Sequence, residues 1–389
     1  MKLLHTADWH IGKELGGYSL LAEQQAAFEQ IVQLAQQEQV DGIIIAGDLY
    51  DRAIAPTSAV KTLEDMLKTL NLTEQLPIYA VSGNHDGATR LGAGREWRAQ
   101  TGLYLNTQLA EAFTPIETPD AQIYLLPFIE PAMARVYYDI AEDEAADYQN
   151  IAQIMKRIVA DMVATFKPAK AHILVTHYYV TGNENVDYEL TSETNSQVGG
   201  LKSIDVQQFE AFDYVALGHL HLKQASPSQT VRYAGSPIKF NTKEAQTQKG
   251  VYIVDITTNQ VQTTWHDLTP VKDLIVLQES YDTLISPAFY EQYAHQGQNF
   301  FSIKLVGATH AKNARADLMA IYGDVVEVQY DLPALQSAAK IPMIQPDEML
   351  SDEQLIANFY EYVTKQPLTA KQQAVIEQTL VSLHQAEEG

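Results

Sequence analysis

The 389-residue chain contains no cysteine. Disulfide bonds and thiolate metal sites are therefore excluded. The lack of cysteine does not by itself distinguish an oxidising from a reducing compartment. No apolar run approaches the roughly 18–20 residues that a membrane-spanning helix needs. The apolar start of the chain is interrupted at Asp8 and His10, which is not the pattern of a signal peptide. We therefore expect a cytoplasmic protein.

Positive charge is also scarce, because 26 lysines and arginines stand against 49 aspartates and glutamates, for a net charge of −23. A protein that holds nucleic acid by its own surface is usually basic. We therefore expect this chain alone to have weak affinity for nucleic acid. The cationic residues near the motif loops are Arg90, Arg95, Arg98, Lys223, Lys239, Lys243 and Lys249.

A Gly-x-x-x-x-Gly-Lys-Ser/Thr motif is missing as well. This motif cradles the phosphates of a bound nucleotide, so any dependence on ATP must come from a partner.

What the chain does have is a set of metal-ligand residues at the ends of five short hydrophobic runs. Runs of this length, rich in β-branched and aromatic residues and bounded by turns, are typical of buried strands. Ligand sites of open α/β sheets lie just beyond the carboxyl ends of the strands, so five strand ends can bring side chains to one point. The pattern predicts a two-metal hydrolase. The seven ligand-type residues are Asp8, His10, Asp48, Asn84, His177, His219 and His221.

Two-metal chemistry explains why these residue types occur together. Two divalent ions about 3.5–4 Å apart supply a nucleophilic water at neutral pH and neutralise the phosphate oxygens. A carboxylate must lie between the ions, and Asp48 is the natural candidate. Mixed imidazole, carboxylate and amide ligands without a thiolate favour manganese or iron, with zinc and magnesium less favoured. A lone Asp-x-His pattern is weak, but here all five elements occur in order.

The order Asp-x-His, Gly-Asp, Gly-Asn-His-Asp, His and Gly-His-x-His resembles that of the calcineurin-like metallophosphoesterases. Finer matches within residues 4–12, 198–200, 212–221 and 233–237 resemble the SbcD family of nuclease subunits. The resemblance implies a two-sheet α/β metallophosphoesterase sandwich. The domains it implies are a nuclease domain over 1–268, a small β-α-β-α-β capping domain over 270–332 and a C-terminal helical partner-binding segment over 333–389.

The resemblance also implies roles for the site residues. It assigns one ion to Asp8, His10, Asp48 and His221, and the other to Asp48, Asn84, His177 and His219. His85 then faces the scissile phosphate, where it stabilises the transition state or protonates the leaving oxygen as a general acid. Asp51 stands where related phosphatases place a carboxylate partner for that histidine. Some nuclease relatives carry a histidine there, and a solvated loop carboxylate is the alternative interpretation of Asp51.

The function implied is that of a manganese-dependent DNA nuclease. Such a nuclease is an exonuclease on double-stranded ends and an endonuclease on single-stranded or hairpin DNA. It acts with the SbcC ATPase in DNA repair, recombination and replication, as a homodimer within a heterotetramer. The alternative is a phosphoesterase acting on a phosphomonoester or cyclic nucleotide, which would have the same coordination shell. An inactive scaffold would normally show a broken ligand set, and none of the seven positions is broken.

Further patterns predict the layout of the chain. Capping boxes at Ser351 and Thr369 predict two tail helices, whose apolar faces need a surface to cover them. That surface is either the chain's own core or, as the resemblance implies, the coiled-coil base of SbcC. Residues 182–203 are predicted to form a long loop beside His177 that shapes substrate entry, and 231–265 alternate like antiparallel strands. Helices are predicted over 20–37, 57–70, 88–101, 286–295 and 312–322 and late in 142–166, and capping-domain strands over 274–277, 300–306 and 325–330.

Overall fold

The computed structural model describes residues 1–141, 144–182, 184–185, 203–257, 260–293, 297–307, 313–331, 351–364 and 366–387. Most of the predicted loop over 182–203 lies outside these ranges. The chain divides into two compact units, Met1–Ile275 with Gly297–Phe300 and Val276–Gln296 with Phe301–Gly389. The predicted domain boundaries near 270 and 332 stay predictions.

Strands and α-helices are interspersed up to residue 163, and strands predominate between residues 171 and 279. The strands are β1 (Lys2–Thr6), β2 (Glu14–Leu15), β3 (Tyr18–Ser19), β4 (Gly42–Ala46), β5 (Ile78–Val81), β6 (Leu103–Asn106), β7 (Ile116–Glu117), β8 (Ala121–Leu126), β9 (Ala171–His177), β10 (Val180–Thr181), β11 (Ile204–Asp205), β12 (Tyr214–Gly218), β13 (Val231–Tyr233), β14 (Gly250–Thr257), β15 (Gln260–Asp267), β16 (Asp273–Glu279), β17 (Asn299–Val306) and β18 (Val325–Asp331). The α-helices are α1 (Leu21–Glu38), α2 (Thr57–Lys68), α3 (Ala88–Leu91), α4 (Arg95–Ala99), α5 (Pro131–Tyr137), α6 (Ile151–Val163), α7 (Tyr281–Leu284), α8 (Pro287–Tyr290), α9 (Ala314–Tyr322), α10 (Asp352–Thr364) and α11 (Ala370–Glu387).

Two sheets form the body of the first unit. The six-stranded sheet has the order β15-β14-β1-β4-β5-β6, and the five-stranded sheet has the order β13-β12-β9-β8-β7. The central strands of each sheet run parallel, from β1 to β6 in the first and from β8 to β13 in the second. Their continuous apolar sequences fit strands that are covered on both faces. The predicted two-sheet α/β sandwich is confirmed.

The main core lies between the two sheets. Side chains of alternate residues point to one face of a strand, so Ile44 and Val81 of one sheet meet Leu125, Val175 and Ala216 of the other. All five are fully buried. Burying a large apolar side chain contributes roughly 1.5–3 kcal/mol relative to leaving it exposed. This core therefore fixes the two sheets face to face and brings their strand ends to one edge.

Helices cover the outer face of the five-stranded sheet. The amphipathic helix α6 begins at a capping box formed by Asn150 and Gln153. Its buried residues Ile154 and Ile158 belong to the same apolar cluster as Leu174 of β9. The predicted helix late in residues 142–166 is therefore confirmed as α6.

Three predicted elements differ from the structure. The helix predicted over 88–101 is divided into α3 and α4, because Gly94 adopts φ +75°, a conformation that interrupts a right-handed helix. Of the helix predicted over 286–295, the described residues form only the short α8, which Pro287 opens, and the separate helix α7 lies before that range. Within 231–265, β13 pairs parallel with β12, whereas β14 and β15 are antiparallel as expected. Alternation identifies a strand but does not specify the direction of its partner.

The second unit contains most of a three-stranded sheet of order β16-β17-β18, in which β17 and β18 are parallel. Helix α9 connects these two strands and buries Leu318 and Tyr322. The Tyr322 hydroxyl donates to the Leu284 carbonyl oxygen at 2.8 Å. The predicted strands and the helix ending at 322 are confirmed within the described ranges.

The tail forms the two predicted helices. The main-chain N–H of Gln354 donates to Ser351 Oγ, and the main-chain N–H of Ser351 donates to Gln354 Oε1. This pair of bonds is a capping box at the start of α10. Thr369 and Gln372 make the same pair of bonds before α11. None of the helices within the described ranges is both long enough and apolar enough to cross a membrane.

Candidate metal centre

The predicted ligands stand at the carboxyl ends of five parallel strands, drawn from both sheets. Asp8 follows β1, Asp48 follows β4 and Asn84 follows β5 in the six-stranded sheet. His177 ends β9 and His219 directly follows β12 in the five-stranded sheet. The strand ends meet at one edge because the sheets pack face to face.

The backbone at this edge is strained. Asp8, His10, Asp48 and His219 have φ values of 51°, 44°, 49° and 100°. Residues with a side chain rarely adopt this region, at a cost of about 1–3 kcal/mol each. Hydrogen bonds hold the conformation, since the Asp8 N–H donates to the Gly47 carbonyl at 3.1 Å and the His10 N–H to the Asp48 carbonyl at 2.9 Å. The rest of the fold thus maintains four predicted ligands in unfavourable backbone geometry.

Gly83 lets the Gly-Asn-His loop pass directly over the Asp48 carboxylate. A Cβ atom at position 83 would lie 2.1 Å from Asp48 Oδ1. The His85 N–H donates to that same oxygen at 2.9 Å. Only glycine fits this position, so the motif sequence follows from the closeness of the loop to the carboxylate.

Three of the predicted ligands form a buried group, which we call the enclosed side: Asp8, His10 and His221. Their exposed fractions are 0%, 0% and 2%. Their ligand atoms all lie within 4.8 Å of one another. The Nε2 atoms of His10 and His221 are 3.1 Å apart.

Asn84 and His219 form what we call the open side, because Asn84 is exposed and His219 is half-buried. Asn84 Oδ1 lies 3.1 Å from both His177 Nε2 and His219 Nδ1. The buried His177 donates its Nδ1–H to the Ala46 carbonyl at 2.8 Å, so Nε2 is the ring nitrogen that faces Asn84 and Asp48.

Asp48 stands between the two sides. Its Oδ2 atom lies 3.5 Å from His10 Nε2 and 3.2 Å from His177 Nε2. Asp8, Asp48 and His177 also bring ligand atoms within 4.8 Å of one another. The geometry matches the place that a bridging carboxylate needs.

The residues fit divalent cations on two counts. Asp8 Oδ2 is buried, and across the described ranges no hydrogen-bond donor reaches it. A buried carboxylate oxygen without a donor is costly unless a cation satisfies it. In addition, two nitrogen ligands that bind one ion at about 2.1 Å and at right angles lie about 3 Å apart. The Nε2 atoms of His10 and His221 are separated by a similar distance, 3.1 Å.

The electrostatics of the site favour cation binding. Burial raises the pKa of Asp8 to about 6, although His177 and His221 oppose the change. Burial alone would lower the pKa of His177, but Asp48 and Asp8 outweigh it and raise the value to about 9. The negative charge that holds a proton on His177 is available to a metal ion instead.

His85 lies beside the proposed ligands, and one of its two ring nitrogens is bonded to the main chain. His85 Nδ1 donates to the main-chain carbonyl of Asp51 at 2.8 Å, so Nε2 is the ring atom available to a substrate. The Asp51 carboxylate bonds to Lys13 Nζ at 2.9 Å and lies 3.8 Å from His10 Nδ1. Residue 51 thus contacts His85 through its main chain, where a carboxylate contact was predicted. Ligand atoms of His10, Asp51 and His85 also lie within 4.8 Å of one another.

Asp86 braces the ligand loops. Its carboxylate accepts hydrogen bonds from the main-chain N–H groups of Leu49, Tyr50 and Gly83 at 2.9–3.1 Å. Burial, reinforced by the charge of Asp48, raises the pKa of Asp86 to about 7. These bonds hold the loops after β4 and β5 together.

Glu244 and Lys249 were missed by sequence reasoning. Lys249 was expected to be one of the cationic residues near the motif loops, yet it is only 6% exposed and pairs with the fully buried Glu244. Glu244 in turn contacts His221. They lie 23 and 28 residues after that histidine in no recognised motif, and the residues around them are mostly polar, so nothing in the sequence signalled their burial.

Residues 1–223 match the family model described as calcineurin-like phosphoesterase. The chain belongs to this family and is an enzyme of phosphoester hydrolysis. It is 32% identical over 384 residues to a Staphylococcus epidermidis protein named as the SbcD subunit of nuclease SbcCD, with 98% of each chain covered. A Staphylococcus saprophyticus protein of the same name is 30% identical over 383 residues, also with 98% of each chain covered. The family predicted from the motifs is confirmed.

Proposed function

We propose that this chain is the nuclease subunit of an SbcCD-type complex and hydrolyses DNA phosphodiester bonds. The observation that carries the proposal is the cluster of seven ligand-type side chains at five strand ends, in a chain similar to SbcD proteins along almost its whole length. The substrates are double-stranded ends for exonuclease action and single-stranded or hairpin DNA for endonuclease action.

The ligand set would hold two divalent ions, for which manganese suits the donors best. When bound, these ions supply a water of lowered pKa and positive charge for the phosphate oxygens. Asp48 would hold both ions. His85 presents Nε2, held in orientation by its bond to the Asp51 carbonyl, to stabilise the transition state or protonate the leaving 3′-oxygen. The carboxylate of Asp51 acts on His85 only indirectly.

A partner would supply most of the DNA-binding surface. Several cationic residues near the motif loops are occupied by acidic neighbours: Arg95 with Glu111 at 2.9 Å, Arg98 with Glu64 at 3.0 Å and Lys239 with Asp273 at 2.6 Å. With a net charge of −23, the chain has little positive charge left to attract phosphates. The SbcC ATPase is the proposed partner, within a heterotetramer that contains two copies of this chain.

The tail helices would bind that partner. Leu355 and Phe359 on α10 are 46% and 68% exposed, and Val375 on α11 is 58% exposed. The two helices contact each other through a hydrogen bond from Gln372 Nε2 to the Tyr360 hydroxyl at 2.9 Å. Large apolar side chains left in solvent are typical of a protein interface. We propose that this surface docks on the coiled-coil base of SbcC, and that the capping domain restricts how DNA enters the site.

This assignment implies a cytoplasmic enzyme of DNA repair, recombination and replication. It is tested by manganese-dependent cleavage of labelled single-stranded, hairpin and protein-blocked DNA, with and without SbcC and ATP. A His85→Ala variant and a simple aryl phosphate ester serve as controls. We expect DNA cleavage that SbcC stimulates and that His85→Ala lacks. Turnover of the small ester alone, with DNA untouched even when SbcC is present, would contradict the proposal.

The docking surface has its own test. A Leu355→Glu/Phe359→Glu variant should lose SbcC binding in size-exclusion chromatography while keeping its basal hydrolysis. Changes of exposed residues alter unfolding free energy by only about 0.5 kcal/mol. Lys371→Glu on α11 is the control for added negative charge. If the double variant still binds SbcC like the wild-type chain, the surface is elsewhere.

A further inference from the structure

A buried carboxylate orients one of the proposed ligands. His221 Nδ1 donates to Glu244 Oε1 at 3.1 Å, and neither side chain is more than 1% exposed. A carboxylate on one ring nitrogen fixes the tautomer, so the lone pair is on the other nitrogen. For His221 that nitrogen is Nε2, which lies 3.1 Å from His10 Nε2 on the enclosed side.

Lys249 keeps this carboxylate charged inside the protein. Its Nζ lies 2.5 Å from Glu244 Oε2 and donates to Ser236 Oγ and to the His221 carbonyl oxygen, both at 2.8 Å. The Asn241 side chain and the Phe240 N–H also donate to Glu244. A buried ion pair is stable only when its remaining hydrogen bonds are satisfied. Here the bonds are made, and they converge on His221.

The segment Gly235-Ser236 contacts the main-chain carbonyl of the same histidine. The Ser236 N–H donates to the His221 carbonyl at 3.2 Å. Gly235 has φ +70°, and a Cβ there would lie 2.6 Å from that carbonyl oxygen. The ring and the backbone of His221 are thus both held from residues 235–249. None of these residues belongs to the motifs at the strand ends.

We propose that Glu244 is a positioning residue that prepares His221 to bind a divalent ion on the enclosed side, with Lys249 stabilising its charge. The inference rests on the proposed two-ion centre. It assigns the 235–249 segment a role in metal affinity. If the segment were only a packed turn, changes in it would affect stability alone. Loss of a carboxylate partner of a ligating histidine typically costs about 10–100-fold in metal affinity.

Calorimetric titration of the full-length protein with Mn²⁺ tests the proposal. Glu244→Gln keeps the size and an acceptor oxygen but removes the charge, and Glu244→Leu removes both. We expect affinity for one of two ions to fall about 10-fold in the first variant and about 100-fold in the second, with the other ion unaffected. Asn84→Ala, which weakens the open side, identifies which ion is which.

The control for stability is Ile158→Ala on helix α6. It creates a cavity away from the site and should lower the melting temperature without changing either affinity. Wild-type affinity in the Glu244→Gln variant would overturn the proposal. So would an equal weakening of both ions that follows the melting temperature, because that is the behaviour of a structural residue.

Nitrogen-15 spectra of metal-free protein keep this test separate from the proposed function. The wild-type His221 should carry its proton on Nδ1, and Glu244→Leu should show a mixture of tautomers. If the wild-type chain binds no Mn²⁺, the proposed function fails while the spectra still decide the role of Glu244. If it binds two ions and the tautomer is unchanged in Glu244→Leu, only the present inference fails.

Discussion

The two sides of the metal centre differ in how far they are removed from solvent. Asp8, His10 and His221 are almost completely buried, and His221 is held by an ion pair behind it. Asn84 is exposed and His219 half-buried on the open side. One of the two proposed ion positions is therefore enclosed by the protein, whereas the other is open to solvent.

A large effect is expected where both sides meet. Asp48→Asn removes the charge that stands between the ion positions and should lower DNA cleavage roughly 1,000-fold, because metal charge stabilisation is worth several kcal/mol and each 1.4 kcal/mol is tenfold. Steady-state cleavage of labelled DNA at saturating Mn²⁺ measures it. The exposed Asp255→Asn on β14 is the matched control. A loss of less than tenfold in the rate of DNA cleavage would show that Asp48 is not a metal ligand.

His85 separates chemistry from metal binding. His85→Ala should lower cleavage about 10²–10⁴-fold, the usual contribution of a general acid, while both Mn²⁺ affinities stay within twofold of wild type. Cleavage assays and calorimetry on the same preparation check this. Loss of an ion in the variant would instead identify His85 as a ligand, in line with its place near His10 and Asp51.

Substitutions on the two sides should change the free energy of unfolding by different amounts. His221→Ala leaves a cavity and removes a partner of Glu244, so unfolding free energy in the absence of metal should fall by about 2–4 kcal/mol. Asn84→Ala on the exposed side should change it by at most about 0.5 kcal/mol. Urea unfolding in EDTA measures both. Equal changes would mean that the enclosed side is not specially supported.

Metal binding is also expected to depend on pH. The pKa of Asp8 is raised to about 6 by burial, and that of His177 to about 9 by Asp48 and Asp8 against burial. Both must be deprotonated to bind an ion, so Mn²⁺ affinity should rise by up to about tenfold per pH unit between 6 and 9, and fall more steeply below 6.

Calorimetry at pH 7 in buffers of different ionisation enthalpy should then show about one proton released per chain. Affinity that is flat between pH 6 and 9 would contradict the charge balance described for His177.

The strand ends were predictable because each proposed ligand lies next to its own strand in the sequence. Asp8, Asp48 and Asn84 follow apolar runs that fold as β1, β4 and β5, so local patterns located them. The structure brings all of them together, and their roles as ligands remain proposals. The split of the predicted 88–101 helix depended on the backbone of Gly94, which helical periodicity does not report.

The supports of the site were not predictable in the same way. Glu244 and Lys249 reach His221 only through the tertiary fold, and a Glu and a Lys five residues apart resemble any solvated turn. The bond of His85 to the Asp51 carbonyl involves a main-chain atom, which every residue type offers. Side-chain patterns therefore located the proposed ligands, whereas the contacts that orient them required the three-dimensional structure.

The most direct test of the two-ion centre is an anomalous difference map at the manganese edge from crystals grown with Mn²⁺. Two peaks about 3.5–4 Å apart are expected on either side of Asp48. One should contact Asp8, His10 and His221, and the other Asn84, His177 and His219. A single peak, or peaks away from these strand ends, would contradict the account.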